Sequence, residues 1–167
     1  MSAGMHHGSP FWRFSLGFYG QPSVAEACIA LQDGCGVDVN VLLFFLWLAT
    51  ERRSVSLEAV RTICVKTEPW RDDVMAPLRA IRRRLKEGSP LVDPGAAEQF
   101  RTRVKAIELE SERLEQEALF ALAAGLATKA AVSVEAAARA NIVAYENVLG
   151  CALTPAAVAA LLDTLER

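Results

Sequence analysis

The residues best suited by type and spacing to do chemistry lie in one polar stretch, Gln32-Asp33-Gly34-Cys35-Gly36-Val37-Asp38-Val39-Asn40, just ahead of an apolar run. Two carboxylates meeting around a turn can split their pKa values for acid–base work, or hold Mg²⁺ through waters. Such a pocket would be rimmed by Asp33, Asp38 and Asn40, with Arg13 or Arg71 binding an anion and Trp70 lining a groove. A plainer reading competes with it. Asp38 caps the next helix by accepting from the free N–H of Asn40 or Val41, Asn40 satisfies backbone groups in the turn, and Trp70 fixes a helix entry.

Several catalytic designs lack their parts. The two histidines, His6 and His7, stand in the stretch 1–8, which reads as a disordered N-terminal tail. A Ser-His-Asp or Cys-His site needs a positioned imidazole, and a di-iron bundle needs Glu-x-x-His pairs on facing helices. Gly34 and Gly36 have neither the lysine nor the preceding strand of a phosphate-binding loop. The four cysteines, Cys28, Cys35, Cys64 and Cys151, show no C-x-x-C or other metal spacing, and read as reduced, buried thiols. No metal or other cofactor is expected.

Arg79, Arg82, Arg83, Arg84 and Lys86 form a basic run that could contact nucleic acid. The chain as a whole has a net charge of -2, which supplies no general attraction for phosphate backbones. No aromatic residue is interleaved with the run, as single-strand binding surfaces usually require. Glu108, Glu110, Glu112, Glu115 and Glu117 offer an opposite charge nearby in sequence, so ion pairing or solvation is favoured over a nucleic-acid contact.

These side chains must be positioned by helices. Caps, prolines and glycines divide residues 9–167 into about eight helical segments with no strand-like alternation between them, which predicts a single-domain, all-α bundle. Segments start after Ser9-Pro10, Pro22, Asp38, Ser56, Thr67-Glu68-Pro69, Asp93-Pro94, Ser133 and Thr154-Pro155. Pro77 falls inside the fifth and should kink or break it. Ser89 to Gly95 is the most plausible hinge.

Val41 to Ala49 is apolar nearly all round, yet about half the ~20 residues of a membrane span, so it reads as a buried central helix. The longest segment, from Asp93-Pro94 to about Gly125, carries Phe100, Val104, Ile107, Ser111, Leu114, Ala118, Ala121 and Gly125 at alternating four-three spacing. This heptad seam fits an antiparallel helix of the same chain, or a second copy in a homodimer.

Phe11-Trp12-Arg13-Phe14-Ser15-Leu16, Leu31-Gln32-Asp33 and Gly36-Val37-Asp38-Val39-Asn40-Val41-Leu42-Leu43 together resemble a family of small bacterial helical proteins known as a domain of unknown function. Trp70-Arg71-Asp72-Asp73-Val74, Pro77-Leu78-Arg79 and Glu108-Leu109-Glu110 are similar to the same family, over roughly Phe11 to Leu122. The resemblance implies a single helical domain and brings no activity, cofactor or partner with it.

The expectation is therefore a non-enzymatic protein that binds another protein. A ligand pocket or enzyme at Asp33, Asp38 and Asn40 is the alternative, and a nucleic-acid contact through Arg79 to Lys86 a third. No membrane partner is expected. The absence of a secretory pattern in the first ten residues points to a cytoplasmic address.

Overall fold

Helices begin here where a side chain or a proline deals with the free N–H groups of the first turn. The computed structural model describes residues 8–166, so His6 and His7 lie outside the described residues. Along the chain run α1 (Pro10–Tyr19), α2 (Pro22–Cys35), α3 (Val39–Thr50), β1 (Arg53–Val55) and α4 (Leu57–Trp70), then a π-helical turn (Arg71–Met75). After it come α5 (Ala76–Lys86), α6 (Pro94–Ala123), β2 (Thr128–Ala130), α7 (Val134–Leu149) and α8 (Pro155–Leu165). Side-chain oxygens of Ser9, Asp38, Ser56, Asp93 and Ser133 accept from first-turn amides. Gly36 and Gly150 close α2 and α7 in the left-handed conformation that a side chain would resist.

The fold is all-α, with two differences from the pattern of caps. Residues 57–86 form an unbroken helical stretch rather than two segments, although Pro69 lies within α4. The expected break at Pro77 is replaced by the π turn just before it. There the Ala76 N–H reaches back five residues to the Arg71 carbonyl, which widens the turn ahead of a residue that can donate no hydrogen bond. The second difference is a two-stranded antiparallel ribbon that pairs Arg53 with Ala130, Ser54 with Lys129 and Val55 with Thr128. Three-residue strands are too short to show alternation.

The chain divides into two compact units, one of residues up to Cys64 together with those from Gln116 onward, the other of Val65–Glu115. The first is built around α3, in which every residue from Val41 to Ala49 is buried. Its rings interlock: Phe44 meets Phe11 edge-on at 5.4 Å, Trp47 meets Phe120 at 5.5 Å, and Phe45 meets Tyr145 edge-on at 5.4 Å. Aromatic pairs in such geometry add to the gain from area burial alone.

Asn141 of α7 is fully buried at the junction of α3, α7 and the ribbon. Its Nδ2 donates to the carbonyls of Phe45 (2.9 Å) and Arg53 (3.0 Å), and its Oδ1 accepts from the Val55 N–H at 2.8 Å. One amide thus satisfies the Arg53 carbonyl and Val55 N–H on the edge of β1 that faces away from β2, and adds a second donor to the Phe45 carbonyl inside α3.

The cysteines depart from the expectation of four reduced, buried thiols. Cys35 and Cys151 form a disulfide, with Cα atoms 5.8 Å apart across a sequence separation of 116. Spacing along the chain could not reveal this pair, because the packing of α8 on α2 creates it. Cys28 does fit the expectation: it is wholly buried, and desolvation pushes its thiol up to about 12. Cys64 lies outside that disulfide and is half-buried.

In the second unit α5 and α6 are joined through Ser89 to Gly95, the expected hinge, which lies inside this unit. Trp70 sits at the end of α4, and its indole N–H donates to the Ser111 carbonyl of α6 at 3.1 Å. The Ser111 hydroxyl in turn donates to the Glu108 carbonyl at 2.7 Å.

Replacing Asn141 by Ala would leave the Val55 N–H and the Arg53 carbonyl without this partner and strip the second donor from the Phe45 carbonyl. We expect Asn141→Ala to lower the unfolding free energy by about 3 kcal/mol, since each orphaned polar group costs on the order of 1–3 kcal/mol. Urea denaturation followed by circular dichroism checks this, and a loss below about 0.5 kcal/mol, the size of a surface effect, would contradict it.

Candidate functional site

The polar stretch before α3 divides between surface and interior. Asp33 lies exposed in the last turn of α2, whereas Asp38 and Asn40 are each 7% exposed. Asp38 Oδ1 accepts from the N–H of Asn40 at 3.0 Å and of Val41 at 3.3 Å, and the Asp38 N–H donates to Tyr145 Oη at 3.0 Å. The carboxylate therefore works as a helix cap, buried where Asp33 is exposed.

Asn40 continues the buried polar chain. Gln116 Nε2 donates to Asn40 Oδ1 at 2.8 Å and to Ser15 Oγ at 2.9 Å, so α1, α3 and α6 share one hydrogen-bonded cluster. Gln116 and Ser15 are 3% and 4% exposed, and Gln116 Oε1 has no hydrogen-bond partner among the described residues. Beside the cluster the Ser9 N–H donates to Glu117 Oε1 at 2.8 Å, holding the start of α1 to α6.

Sequence reasoning missed Gln116, Ser15, Tyr145 and Asn141. For Asn141 a signal existed: Ala137, Ala138, Asn141, Ile142 and Tyr145 share one face of α7, so an amide there stands on a buried stripe. Gln116 offered less, because it sits among glutamates that read as a solvated face.

The remaining rim residues are engaged locally. Arg13 donates to the Gly8 carbonyl at 2.6 Å on the surface. In the second unit Arg71 donates to Asp72 at 2.8 Å and lies 3.8 Å from Glu68; its guanidinium holds the Asp72 carboxyl below the usual carboxylate range. Trp70 is half-buried and committed to Ser111.

Of the basic run, two residues are spent within the second unit. Arg79 reaches Glu108 at 3.4 Å and Glu112 at 3.9 Å, and Arg82 makes a very short contact with Glu108. The hydrogen bond to Glu108 raises the Arg82 guanidinium above its ordinary range. Glu108 is only 6% exposed, so the two arginines neutralise a carboxylate that burial would otherwise penalise. Arg84 pairs with Glu87 at 2.6 Å on the surface, while Arg83 and Lys86 are exposed.

The heptad seam of α6 is not covered by another helix of the chain along its length. Val104 and Ser111 are buried, but Phe100, Ile107 and Leu114 are 51%, 57% and 45% exposed, and Ala118, Ala121 and Gly125 are exposed as well. The buried face instead runs through Val104, Glu108, Ser111 and Glu115, following the 3.6-residue period of a straight helix. The intramolecular reading of the whole seam is thereby corrected.

A groove of about 350 Å³ lies elsewhere in the first unit. It is lined by Phe14, Gly17 and Phe18 of α1, Gln21, and Thr164 and Leu165 of α8, with the Phe14 and Phe18 rings stacked at 5.1 Å.

These contacts separate a buried carboxylate from an exposed one. We expect Glu108→Gln to cost about 2 kcal/mol of stability, because charge-assisted hydrogen bonds to two arginines weaken together. Asp33→Asn should stay within about 0.5 kcal/mol of the parent. Equal effects of the two substitutions in urea titrations would contradict the assignment.

No curated protein and no solved structure matches the chain. A family described as "Protein of unknown function (DUF2390)" matches residues 10–119, which takes in α1 through most of α6, with both the buried polar cluster and the Arg82–Glu108 pair. On that match the chain belongs to the DUF2390 family of proteins of unknown function.

Proposed function

We propose that this protein acts by binding rather than by catalysis, and that its binding surface is the outward stripe of α6, taken by a second copy of the chain. The observation that carries this is the exposure of Phe100, Ile107 and Leu114 at seven-residue intervals on one helix. Three large apolar side chains in register form a ridge of about four turns, the repeat from which coiled-coil seams are made.

Charge favours an antiparallel copy. Arg101, Arg103 and Lys105 outnumber Glu98 in the N-terminal part of α6, and Glu110, Glu112 and Glu117 outnumber Arg113 in its C-terminal part, where Arg113 pairs with Glu110 at 2.7 Å. With a two-fold axis at Ile107, Ile107 meets its own counterpart and Phe100 meets Leu114 of the second copy. Arg103 then comes opposite Ser111 of the second copy, one residue from Glu110 on the same side of the seam, twice by symmetry. Parallel pairing would set like charges side by side and is disfavoured. Two helices in contact over this length bury an area at the small end of stable interfaces, so micromolar association is expected.

Asp38 and Asn40 are absorbed by a cap and buried hydrogen bonds while Asp33 stands apart on the surface, which supports binding over chemistry. None of the helices among the described residues is long and apolar enough to cross a membrane. A cytoplasmic address is part of this proposal.

Sedimentation equilibrium of the full chain tests the reading. The parent should show a reversible monomer–dimer equilibrium, and Ile107→Asp, a change at an exposed position, should shift it to monomer with unaltered circular dichroism. Arg103→Glu should weaken association by on the order of tenfold, and the double change Arg103→Glu with Glu110→Arg should restore it. A parent that stays monomeric at several hundred micromolar would overturn self-association. Failure of the double change to restore it would overturn the antiparallel register.

A further inference from the structure

Helix α8 packs on α2 through buried Ala157, Leu161 and Leu162, with Val158 and Leu165 half-buried against the same core, and its remaining positions are small or face solvent. The turn that leads into it, Gly150-Cys151-Ala152-Leu153, is fixed by the disulfide from Cys151 to Cys35 at the end of α2. It is also fixed by the Leu153 N–H donating to Glu146 Oε1 at 2.7 Å. Cys35 lies inside the stretch shared with the family and Cys151 beyond it, so the bond ties the common part of the fold to the C-terminal helix.

Both half-cystines are half-buried rather than enclosed, and each adjoins a left-handed glycine, Gly36 or Gly150, at the end of a helix. A thiolate from solution can therefore approach the sulfurs, and the backbone can adjust on either side as they separate. Cys28, two turns earlier in α2, is wholly buried with its thiol pushed up to about 12, so it supplies almost no thiolate to compete in exchange.

We propose that Cys35–Cys151 is a reversible thiol–disulfide site, exchanging with small thiols of the glutathione type, and that it sets how firmly α8 is docked on α2. Reduction proceeds in two displacements. A glutathione thiolate attacks one cystine sulfur, forming a mixed disulfide and releasing the other cysteine as a thiolate, which takes a proton. A second glutathione thiolate then attacks the glutathione sulfur of the mixed disulfide, releasing the second cysteine and leaving oxidised glutathione. The protein gains two electrons and two protons, and the two glutathiones lose them. Oxidation by oxidised glutathione is the same path reversed. Because Thr164 and Leu165 wall the groove beside Phe14 and Phe18, loosening α8 also opens that groove.

The test uses the full chain equilibrated in buffers of defined reduced and oxidised glutathione. Mass spectrometry after acid quenching and alkylation reads the Cys35–Cys151 bond, and hydrogen exchange reads each helix in the same samples. The bond should interconvert reversibly across the glutathione range as a two-electron couple. On reduction, amides of α8 should lose protection by on the order of tenfold or more while α3 stays unchanged. A Cys35→Ser, Cys151→Ser double variant should match the reduced protein in exchange.

A bond that persists in a large excess of reduced glutathione, or never forms from the reduced chain with oxidised glutathione, would overturn the exchange site. Unchanged protection of α8 on reduction would overturn its role in docking, as would an equal loss across α3.

Discussion

The first unit depends on how the end of an almost wholly apolar helix is joined to the ribbon strand after it. α3 can be buried on every side because its backbone is self-satisfied in the middle, but its last carbonyls and the first residues of β1 have no helical partner. The last carbonyls of α3 are taken by Thr50 Oγ1 and the N–H groups of Glu51 and Arg52, while Asn141 meets the Arg53 carbonyl and Val55 N–H of β1 and reaches the Phe45 carbonyl inside α3 with its second donor. Burying a polar side chain for this purpose costs less than leaving the groups unpaired, since an amide that makes its hydrogen bonds recovers most of its desolvation. The ribbon, α7 and α3 are thereby fixed to one another through a single side chain.

The same constraint accounts for the contacts made by the polar stretch before α3. A carboxylate that accepts two backbone N–H groups has its orientation fixed by them, and Asp38 is held further by Tyr145 through its own N–H. Asn40 is drawn into the cluster with Gln116 and Ser15. Polar residues gathered around an apolar helix can look like a catalytic rim when they are the means by which that helix is allowed to be buried. The arginines of α5 behave similarly in the second unit, where Glu108 takes two of them.

Much of this architecture was legible in the sequence. Ser9, Asp38, Ser133 and the glycines at 36 and 150 mark helix ends because capping is a local interaction between residues two to five apart. The all-apolar run from Val41 announced its burial for the same reason. The features that were not legible depend on contacts far apart in the chain. The Cys35–Cys151 pair, the Asn141 bonds and the ribbon each need a helix packing that no local pattern encodes. The α6 seam misled in an instructive way: a four-three repeat and a 3.6-residue stripe overlap at Val104 and Ser111, then diverge at Ile107 and Leu114, and burial followed the second. Asp33 and Asp38 could be read as a pair only while the burial of one and the exposure of the other were unknown.

The π turn at Arg71–Met75 has a consequence for helical phase. Each residue of an α-helix advances about 100° around the axis, so a turn that holds one residue more than usual offsets everything after it by about that angle. Two amphipathic patterns out of step with each other can therefore occupy one unbroken helical path, before and after the turn. The offset also decides which way α5 faces. A chain one residue shorter in that turn could keep every side chain of α5 and still direct Arg79 and Arg82 away from the carboxylate they neutralise.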